Sequence, residues 1–84
     1  EKVLCYHGPL LHHAICLRAK IENNRDEYFI HYTGWSPRWD EWVIGSSVYK
    51  YNEHNLRKQK KLEKINKKIT KKYKAQMDVL LRDN

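Results

Sequence analysis

The stretch YFIHYTGWSPRWDEWV, residues 28–43, decides the fold of this chain of 84 residues. It contains every tryptophan of the chain, namely Trp35, Trp39 and Trp42. Its first part is rich in aromatic and β-branched residues, as strands are, and Gly34 and Pro37 indicate a turn before a second strand. A small core does not need so many large rings at one strand–turn–strand junction. Clustered π-faces attract weakly hydrated cations such as quaternary ammonium groups, so the stretch also predicts a binding site.

The rest of the first 52 residues has the pattern of short strands separated by turns. Residues 14–21 alternate between apolar and polar side chains, which predicts a strand with one buried face and one wet face. Gly8-Pro9 and Asn23-Asn24 are turn signals. The predicted strands are residues 3–6, 14–21, 28–33, 39–43 and 48–51. Strands at this spacing, with no helix between them, favour a small five-stranded antiparallel barrel.

After Asn52 the sequence has the character of a helix. Residues 53–82 contain no Gly or Pro, and Asn52 is a suitable N-cap. Apolar residues recur at intervals of three and four, the stripe of an amphipathic helix: Leu62, Ile65, Ile69, Tyr73, Met77 and Leu80. We therefore predict a mainly β domain over residues 1–52 and a long basic C-terminal helix over residues 53–84. Its first turns, around Leu56, should pack on the barrel, and the remainder should project beyond it.

The net charge of +7 belongs entirely to the helical part. Residues 1–52 carry six basic and six acidic side chains, whereas residues 53–84 carry eleven basic and four acidic ones. A basic arm of this kind indicates a polyanionic partner such as DNA or RNA. The candidate contacts are Arg57, Lys58, Lys60, Lys61, Lys64, Lys67 and Lys68. A solvated helix face or a linker explains the same charge, and the apolar stripe could instead mediate assembly as an intermolecular coiled coil.

Several other classes of function are disfavoured. Two cysteines cannot supply the disulfide framework of a small secreted domain, so we expect reduced thiols. The potential zinc ligands lack the close pairs of structural sites; they are Cys5, His7, His12, His13 and Cys16. No Gly-rich phosphate loop is present, and a chain this short has little room for a walled active site. We expect no catalytic residue, no metal and no cofactor.

No apolar run approaches the ~20 residues of a membrane span, and no signal peptide is visible. We expect no membrane partner. Because the sequence opens at Glu1 rather than Met, we expect it to be part of a longer protein.

Three separated motifs resemble one known family. They are Tyr32-x-Gly34-Trp35 followed by Trp39-Asp40-Glu41-Trp42-Val43; the N-terminal string VLCYHGPLL; and Lys50-Tyr51-Asn52 followed by Asn55-Leu56. Together they resemble the chromodomain superfamily, and more closely the chromo barrel domain of the mortality-factor-related proteins, which include the male-specific-lethal relatives. The resemblance covers roughly residues 1–60. Beyond that point the chain matches the family only in being basic and helical.

The resemblance implies an SH3-like chromo barrel that reads methylated lysine on the histone H3 tail in the nucleus. It also implies histone acetyltransferase and deacetylase complexes, whose other subunits would be contacted by regions outside this chain. The family's cage has four aromatic positions, and by motif Tyr32, Trp35 and Trp39 match three of them. His12 stands where the family usually has a tyrosine, and His7 corresponds to a position near the pocket.

Residue chemistry leaves some of these roles open. The tryptophans could simply fill a small core, and strand alternation places Trp42 with Asp40 and opposite Glu41, which we interpret as packing. A protonated His12 would repel a cationic ligand, so we expect binding to weaken as the pH falls from about 7.5 to 6. The adjacent His13 is the alternative for the same place.

Overall fold

The structure is a computed structural model that describes the backbone of residues 1–82 and the side chains of residues 1–71. One antiparallel sheet contains five strands: β1 (Lys2–His7), β2 (Leu10–Glu22), β3 (Arg25–Tyr32), β4 (Glu41–Ile44) and β5 (Val48–Lys50). Their order in the sheet is β4-β3-β2-β1-β5. Short 3-10 helices at Pro37–Trp39 and Gly45–Ser47 precede β4 and β5, and the helix α1 (Glu53–Arg82) follows. The predicted five-stranded antiparallel fold with one C-terminal helix is confirmed.

Tight turns bring successive strands alongside one another. Asn23 and Asn24, with φ of 54° and 61°, form the left-handed two-residue turn that suits a twisted hairpin between β2 and β3. Gly8, with φ of 64°, opens the turn between β1 and β2, so that His7 pairs with Leu10. Both turns lie where the sequence predicts them.

The sheet buries side chains on both of its faces. The inner face holds a core of Val3, Cys5, Ala14, Ile30 and Tyr32. Alternation along β1 and β2 turns Leu4 and Leu11 to the opposite face, where they are also fully buried. The first turns of α1 cover that second face, since Lys58 lies over the rings of Tyr6 and Tyr49, which pair in register with Leu11 and Leu4.

Specific contacts hold the start of α1 against the sheet. Asn52 caps the helix by accepting a hydrogen bond from the backbone N–H of Asn55 at 2.9 Å, as predicted. The Asn55 amide donates in turn to the Lys50 carbonyl at 2.9 Å. The Lys58 ammonium is 4.9 Å from the centroid of the Tyr49 ring, and the next helix residue, Gln59, is buried. The early turns of α1 are therefore fixed relative to the sheet.

Farther along α1 the apolar stripe is less covered. Ile65 and Ile69 are about half-exposed, at 46% and 48%. The side chains of Tyr73, Met77 and Leu80, which continue the predicted stripe, lie outside the described residues, as do those of Lys72 and Lys74. The projection of the helix and its use in assembly stay predictions.

Two strand boundaries differ from the sequence prediction. β2 begins at Leu10 rather than residue 14, because the turn at Gly8-Pro9 pairs the chain at once and carries His12 and His13 into the strand. β4 begins at Glu41 rather than residue 39, because Ser36 caps a 3-10 helix that contains Trp39. Within residues 1–82, no helix combines the length and the apolar composition needed to cross a membrane.

Candidate functional site

Four neighbouring segments bring their aromatic side chains to one end of the sheet. His7 ends β1, and His12 lies opposite Cys5 two residues into β2. Tyr32 ends β3 and pairs with Ala14 of β2. Trp35 follows in a turn where its backbone N–H donates to the Tyr32 carbonyl at 3.0 Å. Gly34 makes that turn possible because its φ is 84°, a value that residues with a side chain rarely adopt.

The five rings form one cluster with Trp35 at its centre. The Trp35 ring centroid is 4.9 Å from Tyr32, 5.0 Å from His12, 5.1 Å from His7 and 6.0 Å from Trp39. His7 is also 5.3 Å from Tyr32 and 6.5 Å from Trp39. Most of these pairs meet edge to face, the favoured geometry for aromatic contacts. The structure thus brings together all five residues that the sequence predicts for the cage, and we call this group the ring cluster.

Exposure differs strongly across the ring cluster. Trp39 is 52% exposed at the rim, Trp35, His7 and His12 are partly exposed, and Tyr32 is only 1% exposed. Of the three residues that match cage positions by motif, Tyr32 is therefore the buried floor of the ring cluster and Trp39 its exposed rim. The Tyr32 side chain points inward, which places its hydroxyl 3.8 Å from the Cys5 sulfur in the core.

The Glu41 carboxylate connects two members of the ring cluster, the buried Tyr32 and the partly exposed His7. Its Oε2 accepts a hydrogen bond from the Tyr32 hydroxyl at 2.8 Å and lies 3.3 Å from Nδ1 of His7. Sequence reasoning missed this role of Glu41. The pairing of Glu41 with Ile30, whose side chain is in the core, is the feature that turns it inward.

Burial sets the protonation states around the ring cluster. It raises the pKa of the Tyr32 phenol, and the hydrogen bond to Glu41 raises it further, so Tyr32 stays a neutral donor. Burial likewise raises the pKa of the Cys5 thiol, which keeps it protonated and unreactive. Desolvation lowers the pKa of His12 below its ordinary value. At neutral pH His12 therefore presents an uncharged ring.

Comparison with known proteins identifies the family. The profile of the MSL3 chromodomain-like family matches residues 1–64. The chain belongs to the MSL3 chromodomain-like family. The predicted resemblance to the mortality-factor-related and male-specific-lethal proteins is confirmed.

The relatives agree with this assignment. Mortality factor 4-like protein 1 of Rattus norvegicus is 53% identical over 66 residues, which cover 79% of this chain and 20% of the relative. The NuA4 complex subunit EAF3 homolog of Drosophila melanogaster is 48% identical over 62 residues, covering 74% and 15%. The Drosophila MSL3 chromodomain superposes with a TM-score of 0.70 at 28% identity, over 77% of this chain and 86% of that one. The chain spans a fifth or less of the length of these two curated relatives.

Other residues of the same motif lie on the outer face of this chromodomain-like sheet, which is the face opposite the inner core and the ring cluster. Trp42 packs on Phe29, with ring centroids 5.3 Å apart, and Lys20 lies 4.3 Å above the Trp42 ring. Asp40 accepts a hydrogen bond from Nδ1 of His31 at 2.7 Å. Trp42 and Asp40 are thus separated from the ring cluster by the sheet, in agreement with the alternation predicted from the sequence.

The predicted nucleic-acid contacts of the chromodomain-like chain do not share one surface. With 3.6 residues per turn, seven exposed cations of α1 fall within an arc of about 120°. This basic row consists of Arg57, Lys60, Lys61, Lys64, Lys67, Lys68 and Lys71. Lys58 lies outside the basic row, since its ammonium faces Tyr49 and Tyr6.

Proposed function

We propose that this chromodomain-like domain binds methylated lysine of the histone H3 tail through the ring cluster. The observation that carries the proposal is the convergence of five rings, with centroids 4.9–6.5 Å from their neighbours, around Trp35 and with the half-exposed Trp39 at the rim. A methylated ammonium within about 6 Å of several ring faces gains cation–π attraction from each of them. The ordinary alternative, a purely structural core, would not leave Trp39 at the surface.

The rings of the cluster contact one another, so a ligand can enter only if one of them moves aside. Trp39 is the ring best placed to give way, because it is 52% exposed and joins the cluster only through Trp35 at 6.0 Å and His7 at 6.5 Å. Tyr32 is held by Glu41 and by the surrounding core. In this proposal the ammonium lies between Trp39 and the remaining rings, with Tyr32 as the floor.

The biological setting follows from the same proposal. The names of the relatives include a NuA4 complex subunit and a chromatin modification-related protein, which supports a place in chromatin. We place the domain in the nucleus, as a binding module without enzymatic activity or cofactor. It would bring a histone acetyltransferase or deacetylase complex to methylated nucleosomes, with the other subunits bound by parts of the protein outside this chain.

A titration with histone H3-tail peptides tests the proposal directly. Methylated peptides should quench or shift the fluorescence of the exposed Trp39 in a saturable way, and the unmodified peptides should bind at least about tenfold more weakly. Affinity in the micromolar range or weaker is expected, since one side chain offers little buried area against the cost of ordering a peptide. Equal binding of methylated and unmodified peptides would contradict the proposal.

The neutral imidazole of His12 predicts a specific pH dependence. Because burial lowers the His12 pKa, this imidazole gains its proton at a lower pH than an ordinary histidine does, and the charged ring would then repel the ligand. The proton also costs folding free energy there, since the unfolded chain binds it more readily. Affinity should be constant from about pH 8 to 7 and fall below about pH 6.5.

The variant His12→Tyr should remove this pH dependence and tighten binding about threefold, because a phenol ring attracts cations better than an imidazole. Peptide titrations of both proteins across the pH range check this. A pH step that persists in the variant would contradict the assignment of the pH dependence to His12.

A second function, binding of DNA or RNA, is favoured by the basic row on α1. Its seven exposed cations form no ion pair with an acidic side chain among the side chains described up to residue 71. Such a surface gains affinity by releasing counterions from phosphates, without reading base sequence. Lys58 is left out of this proposal because it faces the tyrosines of the sheet.

Charge reversal on the basic row should weaken nucleic-acid binding and flatten its salt dependence. For Lys64→Glu/Lys68→Glu, the slope of log affinity against log salt should fall by about two, measured with a short DNA duplex. The matched control Arg18→Glu/Lys20→Glu makes the same charge change on the sheet and should leave the slope nearly unchanged. Equal effects of the two pairs would point to net charge alone.

A further inference from the structure

Among the side chains of residues 1–71, the carboxylate of Glu41 is the one acidic group linked by hydrogen bonds to members of the ring cluster. Both of its hydrogen bonds among the described residues use Oε2, which accepts from the Tyr32 hydroxyl and lies 3.3 Å from Nδ1 of His7. Oε1 has no partner there, and the Glu41 side chain is 43% exposed. A charged acceptor with one free oxygen therefore borders the rings.

His7 shows how close this acceptor lies to the rings of the cluster. Its ring lies 5.1–6.5 Å from those of Trp35, Tyr32, His12 and Trp39 and meets all four close to edge-on. Nδ1 of this ring faces Glu41, so the carboxylate lies directly beside the ring cluster. A partly methylated ammonium held among these rings would have aromatic side chains around its methyl groups and an anionic oxygen near its N–H.

We propose that Glu41 is a specificity-determining residue that makes the ring cluster prefer N-ε-dimethyl-lysine over N-ε-trimethyl-lysine. The inference rests on the proposed function. A dimethylammonium group retains one N–H, which can donate a charge-assisted hydrogen bond to the free oxygen of Glu41. A trimethylammonium group has no N–H, so it displaces water from the carboxylate without replacing the lost hydrogen bond.

Asp40, the adjacent carboxylate, does not perform this role. Its Oδ1 accepts from His31 at 2.7 Å on the outer face of the sheet, away from the ring cluster. The two neighbouring acidic residues therefore provide a matched pair of variants, in which the same carboxylate-to-amide change is made on either side of the sheet.

The test compares one peptide sequence carrying dimethyl-lysine or trimethyl-lysine in titrations with the wild-type domain, Glu41→Gln and Asp40→Asn. The wild type should bind the dimethyl peptide about fivefold more tightly, as expected for one partly exposed charge-assisted hydrogen bond. Glu41→Gln keeps an acceptor for Tyr32 but loses the charge, so the two affinities should agree within about twofold. Asp40→Asn should keep the wild-type ratio.

Thermal unfolding of each variant shows that the fold is intact, and the ratio of the two affinities cancels any general weakening of the site. Equal binding of both peptides by the wild type, or an unchanged ratio in Glu41→Gln, would overturn the role of Glu41 while leaving the reader function in place. Loss of the preference in Asp40→Asn would also overturn it. If neither peptide binds better than its unmodified form, both proposals are wrong.

Discussion

Replacing Trp35 by alanine is expected to reduce methyl-lysine binding by more than about tenfold, the largest effect of any single ring. Trp35 touches all the other members of the ring cluster, at centroid distances from 4.9 to 6.0 Å. The substitution removes one cation–π contact and also the packing that orients the rings of Tyr32, His12 and Trp39. Both losses weaken binding of the methylated ammonium, so the fall in affinity should exceed that caused by removing a ring that contacts no other ring.

The matched control is Trp42→Ala, which removes the same side chain from the same motif but on the outer face, where Trp42 packs on Phe29. Calorimetric titration with a methylated H3-tail peptide should give near-wild-type affinity for this variant, provided that thermal unfolding shows it folded. A Trp35→Ala protein that is folded and binds like the wild type would refute the reader function. Similar losses in both variants would indicate a general structural effect.

The largest effect on stability is expected for Leu4→Ala. Leu4 is 0% exposed, lies in the central part of β1 and packs on the face covered by the start of α1. Truncating a buried leucine removes transfer free energy and leaves a cavity, which together cost about 2–5 kcal/mol. Native proteins have total stabilities of only about 5–15 kcal/mol, so this variant should lose a large fraction of its free energy of unfolding.

Ile21→Ala supplies the comparison, because Ile21 is an aliphatic strand residue that is 77% exposed. Urea denaturation followed by far-UV circular dichroism should show a change below about 0.5 kcal/mol for this variant. A midpoint for Leu4→Ala as high as that of Ile21→Ala would mean that α1 and the sheet do not enclose Leu4 in solution.

Local sequence signals correctly predict that five strands are present and where the turns at Gly8-Pro9 and Asn23-Asn24 lie, because each depends on a few adjacent residues. Asn23-Asn24 adopts the positive φ values that its residue types tolerate best. The alternation of side chains along β4 correctly places Trp42 on the face opposite the ring cluster, since the side-chain period of a strand is two. Asn52 caps α1 as its residue type and position predict. These features need no knowledge of distant parts of the chain.

Features that depend on contacts across the fold are not visible in the sequence. The burial of Tyr32 and its hydrogen bond to Glu41 depend on the inner face formed with β1, far away in the chain. The position of Lys58 over Tyr49 requires the docking angle of α1. The start of β4 is displaced because the 3-10 helix of residues 37–39 competes with strand pairing. In each case the deciding partner lies outside the local sequence window.

The cation–π contact of Lys58 with Tyr6 and Tyr49 has a consequence for how the domain would bind a large target. It fixes the early part of α1 to the same sheet that carries the ring cluster. Contacts at the two places would then occur at a set spacing, so engagement of one would raise the effective concentration for the other and convert weak attachments into avidity. A target with phosphates at the matching separation would be retained, and a free peptide would dissociate quickly.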